Sequence, residues 1–190
     1  MRHFFGVILG IGLLLAGTAV HDTAQAQDLA KPKGPVLLTV SGAVAKTNRG
    51  PSNDFEDGLL NSHGIAFQKA AAFDLAMLEG LGMKKFSLQY PGWPKRYTFE
   101  GPLLRDLLAA VGAEKSSVIR FMGLDGYEPE IPVQDARDYD VMLAIKVDGR
   151  YLGIGDRGPI WLVYPRDDVP ALKNTDDAKW VWAGFHIAVE

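Results

Sequence analysis

Gly101-Pro102-Leu103-Leu104-Arg105-Asp106-Leu107-Leu108-Ala109-Ala110-Val111-Gly112 is the stretch from which the rest of the chain can be read. Pro102 has a fixed φ and no N–H to leave unpaired at a helix start, and Gly112 suits a left-handed stop. Between them the leucines recur at three- and four-residue spacing, which predicts a helix with its leucine stripe in the core. Downstream, apolar and β-branched runs predict strands at 117–122, 127–133 and 141–147, with hairpin turns at Asp125-Gly126 and Asp148-Gly149. The last strands fall at 160–164 and 180–189. Upstream, Lys85–Tyr90 reads as a strand, broken by Pro91-Gly92-Trp93-Pro94. Phe73, Ala76 and Met77 share a helical face in 70–81, with Gly80 and Gly82 as the stop. Val36–Val40 is a strand closed by Ser41-Gly42. Residues 45–64, rich in Gly, Asn, Ser and Pro, form a long loop. Short strands with two or three helices make an α+β single domain with mixed sheets.

The N-terminus predicts export. Arg2 precedes an apolar run from Phe4 to Ala19, and Ala24-Gln25-Ala26 has the small-x-small pattern of signal peptidase sites. The apolar run is short and glycine-rich for a membrane span of roughly 20 residues. The expected boundaries are a cleaved signal peptide at 1–26, a periplasmic location, and one domain at 27–190. Removing 26 of the 190 residues leaves 164, enough for a proper core.

Composition removes several chemistries. The chain has no cysteine, so thiol nucleophiles, thiolate metal sites and disulfides are all excluded. Its net charge is −3 with no basic run, and nothing favours nucleic acid as a partner. Beyond the signal only His63 and His186 remain, too far apart in sequence for a metal site by spacing. His186 lies in an alternating strand pattern and reads as structural. No G-x-S-x-G stretch is present.

From Phe99 to Pro165 the chain resembles the molybdopterin-binding domain of sulfite-oxidase-like oxidoreductases. The resemblance rests on Phe99-Glu100-Gly101-Pro102-Leu103-Leu104-Arg105-Asp106-Leu107-Leu108, Asp125-Gly126-Tyr127 and Ile131-Pro132. It continues in Val141-Met142-Leu143-Ala144, Asp148-Gly149-Arg150-Tyr151-Leu152, Gly158-Pro159-Ile160-Trp161-Leu162-Val163-Tyr164-Pro165 and Trp180-Val181-Trp182. It implies a sulfite-oxidase-type fold. The enzymes carry a molybdenum-ligating Cys ahead of the main helix, where this chain has Ser87-Leu88-Gln89-Tyr90-Pro91-Gly92-Trp93. Where they tend to hold cofactor phosphate with an Arg, this chain has Trp161. An indole replaces a permanent cation with a flat apolar face and one N–H donor.

These departures are similar to a smaller group in the superfamily, the periplasmic pterin-binding regulators of cyclic-di-GMP signalling. That resemblance implies a non-catalytic protein whose ligand is a reduced pterin, with no molybdenum. It also implies a partner: the periplasmic region of a membrane-bound protein with diguanylate cyclase (GGDEF) and phosphodiesterase (EAL) domains, and hence biofilm control. The alternative is a molybdopterin-dependent oxidoreductase of the sulfite-oxidase type.

A pterin needs an aromatic face for its bicyclic ring and donors and acceptors for its amino-pyrimidinone edge. Trp161 is the first candidate platform, or else a core tryptophan. Asp156, Arg157 and Gly158 occupy the loop before it. Gln89, Tyr90 and Trp93 occupy the region where the enzymes keep their thiolate. Asn48 and Arg49, in the long loop, complete the set expected to bind pterin.

Overall fold

The computed structural model describes Met1 and residues 29–190, so the expected signal peptide lies outside the described residues. Eleven strands and four short α-helices are formed among them, one helix more than expected. Strand β1 (Val36–Gly42) lies second in a five-stranded sheet of order β2-β1-β11-β5-β6. Its partners are β2 (Ala71–Asp74) and β11 (Gly184–Val189), the latter in parallel register with Thr39 opposite His186. β5 (Val118–Gly123) and β6 (Glu130–Pro132) complete that sheet as an antiparallel hairpin, with Gly126 at positive φ in the loop as its Asp-Gly signal predicts.

A second sheet runs β3-β4-β8-β9, from Lys84–Leu88, Tyr97–Gly101, Lys146–Val147 and Arg150–Tyr151. Asp148 and Gly149 both take positive φ between β8 and β9, the two-residue turn their sequence favours. A third, two-stranded sheet pairs β7 (Met142–Ala144) with β10 (Trp161–Val163). One hydrophobic core cluster joins all three sheets.

Helix α3 (Leu104–Val111) is the predicted leucine helix. Leu104, Leu107, Leu108 and Val111 are its buried face, and Gly112 ends it in the left-handed conformation. It begins three residues later than the sequence suggests. Gly101 ends strand β4 instead, because it lies against the backbone of β7: a Cβ there would sit 2.1 Å from the Leu143 carbonyl oxygen.

The expected helix over 70–81 is a strand followed by a helix. Asp74 divides them: its carboxylate accepts from Met77 N–H at 2.9 Å, capping α2 (Leu75–Gly80), and from the N–H groups of Lys33 and Gly34. Ala71–Asp74, all buried, pair with β1. The expected long loop holds α1 (Gly58–Ser62), and the end of the expected 127–133 strand turns into α4 (Val133–Asp138). The 141–147 run is split between two sheets at Ile145.

Candidate functional site

Three connections converge on one face of the core: the turn after β3, the β8–β9 hairpin, and the loop leading into β10. Their aromatic side chains form a continuous cluster. Trp93 is its centre. Its ring lies 5.5 Å from that of Trp161, 5.8 Å from Tyr90, 5.9 Å from Phe99 and 5.6 Å from Tyr97. Trp180 closes over Tyr90 and Trp93 at 5.4 and 6.2 Å. The turn that presents Trp93 is pinned locally: Trp93 N–H donates to the Tyr90 carbonyl at 3.0 Å, and the Gln89 side-chain amide donates to the Trp93 carbonyl.

Trp161 starts β10 opposite Ala144 and is 6% exposed. Phe99 meets it edge-on at 5.2 Å, and the Arg157 guanidinium lies over its ring at 4.5 Å. Its indole Nε1 is buried and has no hydrogen-bond partner among the described residues. A buried unpaired N–H costs on the order of 1–3 kcal/mol. Trp161 borders a cavity of about 260 Å³ together with Trp93, Pro94, Tyr97, Val147, Arg150, Leu152, Asp156 and Arg157. That is slightly under the ~300–1,000 Å³ of sites that enclose drug-sized ligands, and suits a smaller heterocycle.

The loop 153–158 sets the polar rim. Asp156 Oδ1 accepts from Gly153 N–H at 3.1 Å and Gly158 N–H at 3.0 Å, so this carboxylate closes its own loop. Gly158 is required there for close approach: a Cβ would meet the Leu152 carbonyl carbon at 2.4 Å. Gly158 thus shapes the cavity without touching it. Arg150 and Arg157 form no ion pair among the described residues, whereas Asp156 is the only carboxylate on the cavity wall. The wall therefore combines stacking faces, guanidinium donors and one carboxylate acceptor.

Gln89 and Tyr90 stand on the other side of Trp93. They line a separate cleft of about 680 Å³ with Pro91, Gly92, Arg96, Arg166, Asp167, Pro170 and Lys173. Arg166 lies over the Tyr90 ring at 5.0 Å and has its Nε buried without a partner. Arg96 is paired with Asp167 at 2.6 Å. Burial first, then the Asp177 carboxylate, raises the Tyr90 phenol above its ordinary pKa, so it is a neutral hydrogen-bonding group.

Asn48 and Arg49 are not brought to either place. The Asn48 amide is fully used on the edge strand: it accepts from Ala72 N–H at 2.7 Å and donates to the Ala72 and Ala30 carbonyls at 2.8 Å each. Arg49 chelates the Asp57 carboxylate at 2.6 and 2.8 Å and stacks on Phe67. Burial alone would raise the Asp57 pKa; the Arg49 and Asn53 hydrogen bonds hold it below the ordinary value. Both residues face the five-stranded sheet because β2 has an open edge there, a consequence of tertiary pairing that a polar loop composition does not reveal.

The sequence reading does not single out Tyr97, Arg150, Arg96, Arg166 or Lys173 as lining residues. The Asp148-Gly149 turn carries the one usable signal, since it places Arg150 at the start of β9. A third cavity, of about 440 Å³, contains Tyr164, whose hydroxyl donates to Asp135 at 2.8 Å, and Lys179, which donates to the same oxygen. Burial and the Asp135 carboxylate keep the Tyr164 phenol protonated.

A thiolate-held metal does not fit this donor set. The chain has no cysteine, and the residues in the β3 turn offer only hydroxyl, amide, phenol and indole groups. Among the described residues no group of three His, Asp or Glu side chains is placed to hold a metal ion. The aromatic wall and its guanidinium groups do fit a flat heterocycle with an acceptor on its edge. No curated protein matches the chain. The family model described as the oxidoreductase molybdopterin-binding domain matches residues 76–183, from α2 through the Trp180-Val181-Trp182 segment. The aromatic cluster lies wholly within that span, and the chain belongs to the oxidoreductase molybdopterin-binding domain family.

Proposed function

We propose that this chain binds a reduced pterin without molybdenum and acts as a periplasmic binding protein, not as an oxidoreductase. Its ligand state is passed to the periplasmic region of a membrane-bound cyclic-di-GMP synthase/phosphodiesterase. Membership of a pterin-cofactor family supports the ligand class. The single observation that carries the reading is Trp161: a buried indole bordering a cavity rimmed by Arg150 and Arg157, neither ion-paired among the described residues, and by the Asp156 carboxylate.

In this reading the pterin ring occupies the Trp161 cavity. An arginine of the rim meets its carbonyl edge, and Asp156 takes its amino edge through the oxygen not used in the loop. Because the sequence offers no thiolate to a metal, no redox step is assigned to the chain.

The test is calorimetry of the exported protein, purified from periplasm, against 7,8-dihydrobiopterin. Trp161→Ala should weaken binding by about 1–3 kcal/mol, the scale of a stacked ring and its buried area. Trp161→Phe, which keeps the ring and removes the N–H, should recover part of that. Stoichiometric molybdenum in protein taken from its native periplasm would overturn the reading in favour of a molybdopterin enzyme.

A further inference from the structure

We propose that Arg157 transmits occupancy of the Trp161 cavity to the protein surface at Trp182. This deepens the pterin-binding reading and rests on it.

Arg157 lies between two indoles. Its guanidinium carbon is 4.5 Å from the ring centre of Trp161, inside the cavity, and 5.7 Å from that of Trp182. Trp161 is 6% exposed and Trp182 is 43% exposed. One planar cation thus touches both the cavity wall and the outside.

The Trp161 ring has Phe99 nearly perpendicular to it and Trp93 tilted beside it. Arg157 covers a face of the ring. A planar ligand that stacks on Trp161 therefore meets the guanidinium first. It either displaces Arg157 or takes it as the second layer of the stack, and in both cases the Arg157–Trp182 contact changes.

Only the side chain is free to respond. The Arg157 carbonyl accepts from Ala183 N–H at 2.9 Å, which ties it to the residue after Trp182. On either side the backbone is fixed by Asp156, which bridges Gly153 and Gly158, and by Gly158, packed against Leu152. The Arg157 side chain itself is exposed and has no ion-pair partner among the described residues. A rigid frame carrying one movable planar cation converts ring binding into a local surface change without a backbone rearrangement.

The experiment labels the exported protein with 5-fluorotryptophan and follows its four tryptophans by fluorine NMR during titration with 7,8-dihydrobiopterin. The Trp182 resonance is the one missing from Trp182→Phe. In the unmutated protein both the Trp161 and Trp182 signals should shift with occupancy. Arg157→Ala and Arg157→Lys, the latter keeping charge without the planar group, should bind more weakly and are titrated until the Trp161 signal stops moving; at that saturation the Trp182 signal should be unmoved in both. A Trp182 shift that persists in Arg157→Ala, or a Trp182 signal unmoved in the unmutated protein while calorimetry shows binding, overturns the coupling and leaves the binding reading intact. No binding by calorimetry removes the reading and the coupling together.

Discussion

Trp161 and Asn48 show how differently two polar-capable side chains are used. The Trp161 N–H has no partner among the described residues, and its ring borders the cavity. The Asn48 amide, by contrast, already donates both its N–H groups and accepts at its oxygen within the protein. Its oxygen and nitrogen face Ala72 N–H and C=O as a neighbouring strand would, covering the open edge of β2. Asn48→Ala removes this pairing and leaves the buried Ala72 N–H unmet. Urea unfolding should show a loss of about 1–3 kcal/mol, with pterin affinity unchanged. A selective loss of affinity at unchanged stability would return Asn48 to the ligand site. The sequence puts Asn48 among the ligand groups with Trp161, because hydrogen-bond partners 24 residues apart, as Asn48 and Ala72 are, leave no local trace. Trp93 and Trp161 are legible only through the family pattern around them, and the fold places them 5.5 Å apart.

Among the elements, α3 is readable because its leucine stripe and Gly112 stop are local properties of the chain. β4 is not. Tyr97–Gly101 follows a proline turn, is only partly apolar, and is a strand because β3 and β8 flank it. Gly101 marks the difference between the two kinds of information. In the sequence it looks like part of a helix start, yet its purpose is to let β4 pass against the β7 backbone. Gly80, by contrast, has open space where a Cβ would stand, with nothing within 4 Å, and an ordinary helical setting. Gly80→Ala should therefore stabilise by about 0.4–1 kcal/mol, through the unfolded chain. Gly101→Ala should destabilise by about 1–3 kcal/mol or more, as overpacking against backbone that cannot yield. Thermal unfolding of the two variants checks the contrast, and equal shifts would show that β4 and β7 can separate at small cost.

At the scale of the whole molecule, the five-stranded sheet depends on β11, which pairs parallel with β1 and antiparallel with β5. His186 sits on that strand, 2% exposed, with Nε2 2.9 Å from Ser41 Oγ and Nδ1 without a partner. Burial lowers its pKa to about 4, from an ordinary 6.5. Between those values the unfolded chain binds a proton that the folded chain refuses. Stability is therefore undiminished above pH 6.5 and falls as the pH drops toward 4, by up to about 3 kcal/mol. The carboxylates act in a different window: Asp74, held low by backbone N–H groups of Gly34, Met77 and Lys33, contributes above its ordinary value of 3.8 and loses that contribution only below it. Acid loss between pH 6.5 and 4 should thus trace mainly to one residue. His186→Gln keeps a hydrogen-bonding group for Ser41 but cannot titrate. Urea midpoints at pH 7, 5.5 and 4.5 should decline in the unmutated protein and stay nearly level in His186→Gln, even if the variant is less stable at pH 7. Parallel declines would mean that His186 takes up its proton while folded. The sheet would then have room for a charge at its centre, which the packing of β1, β11 and β5 argues against.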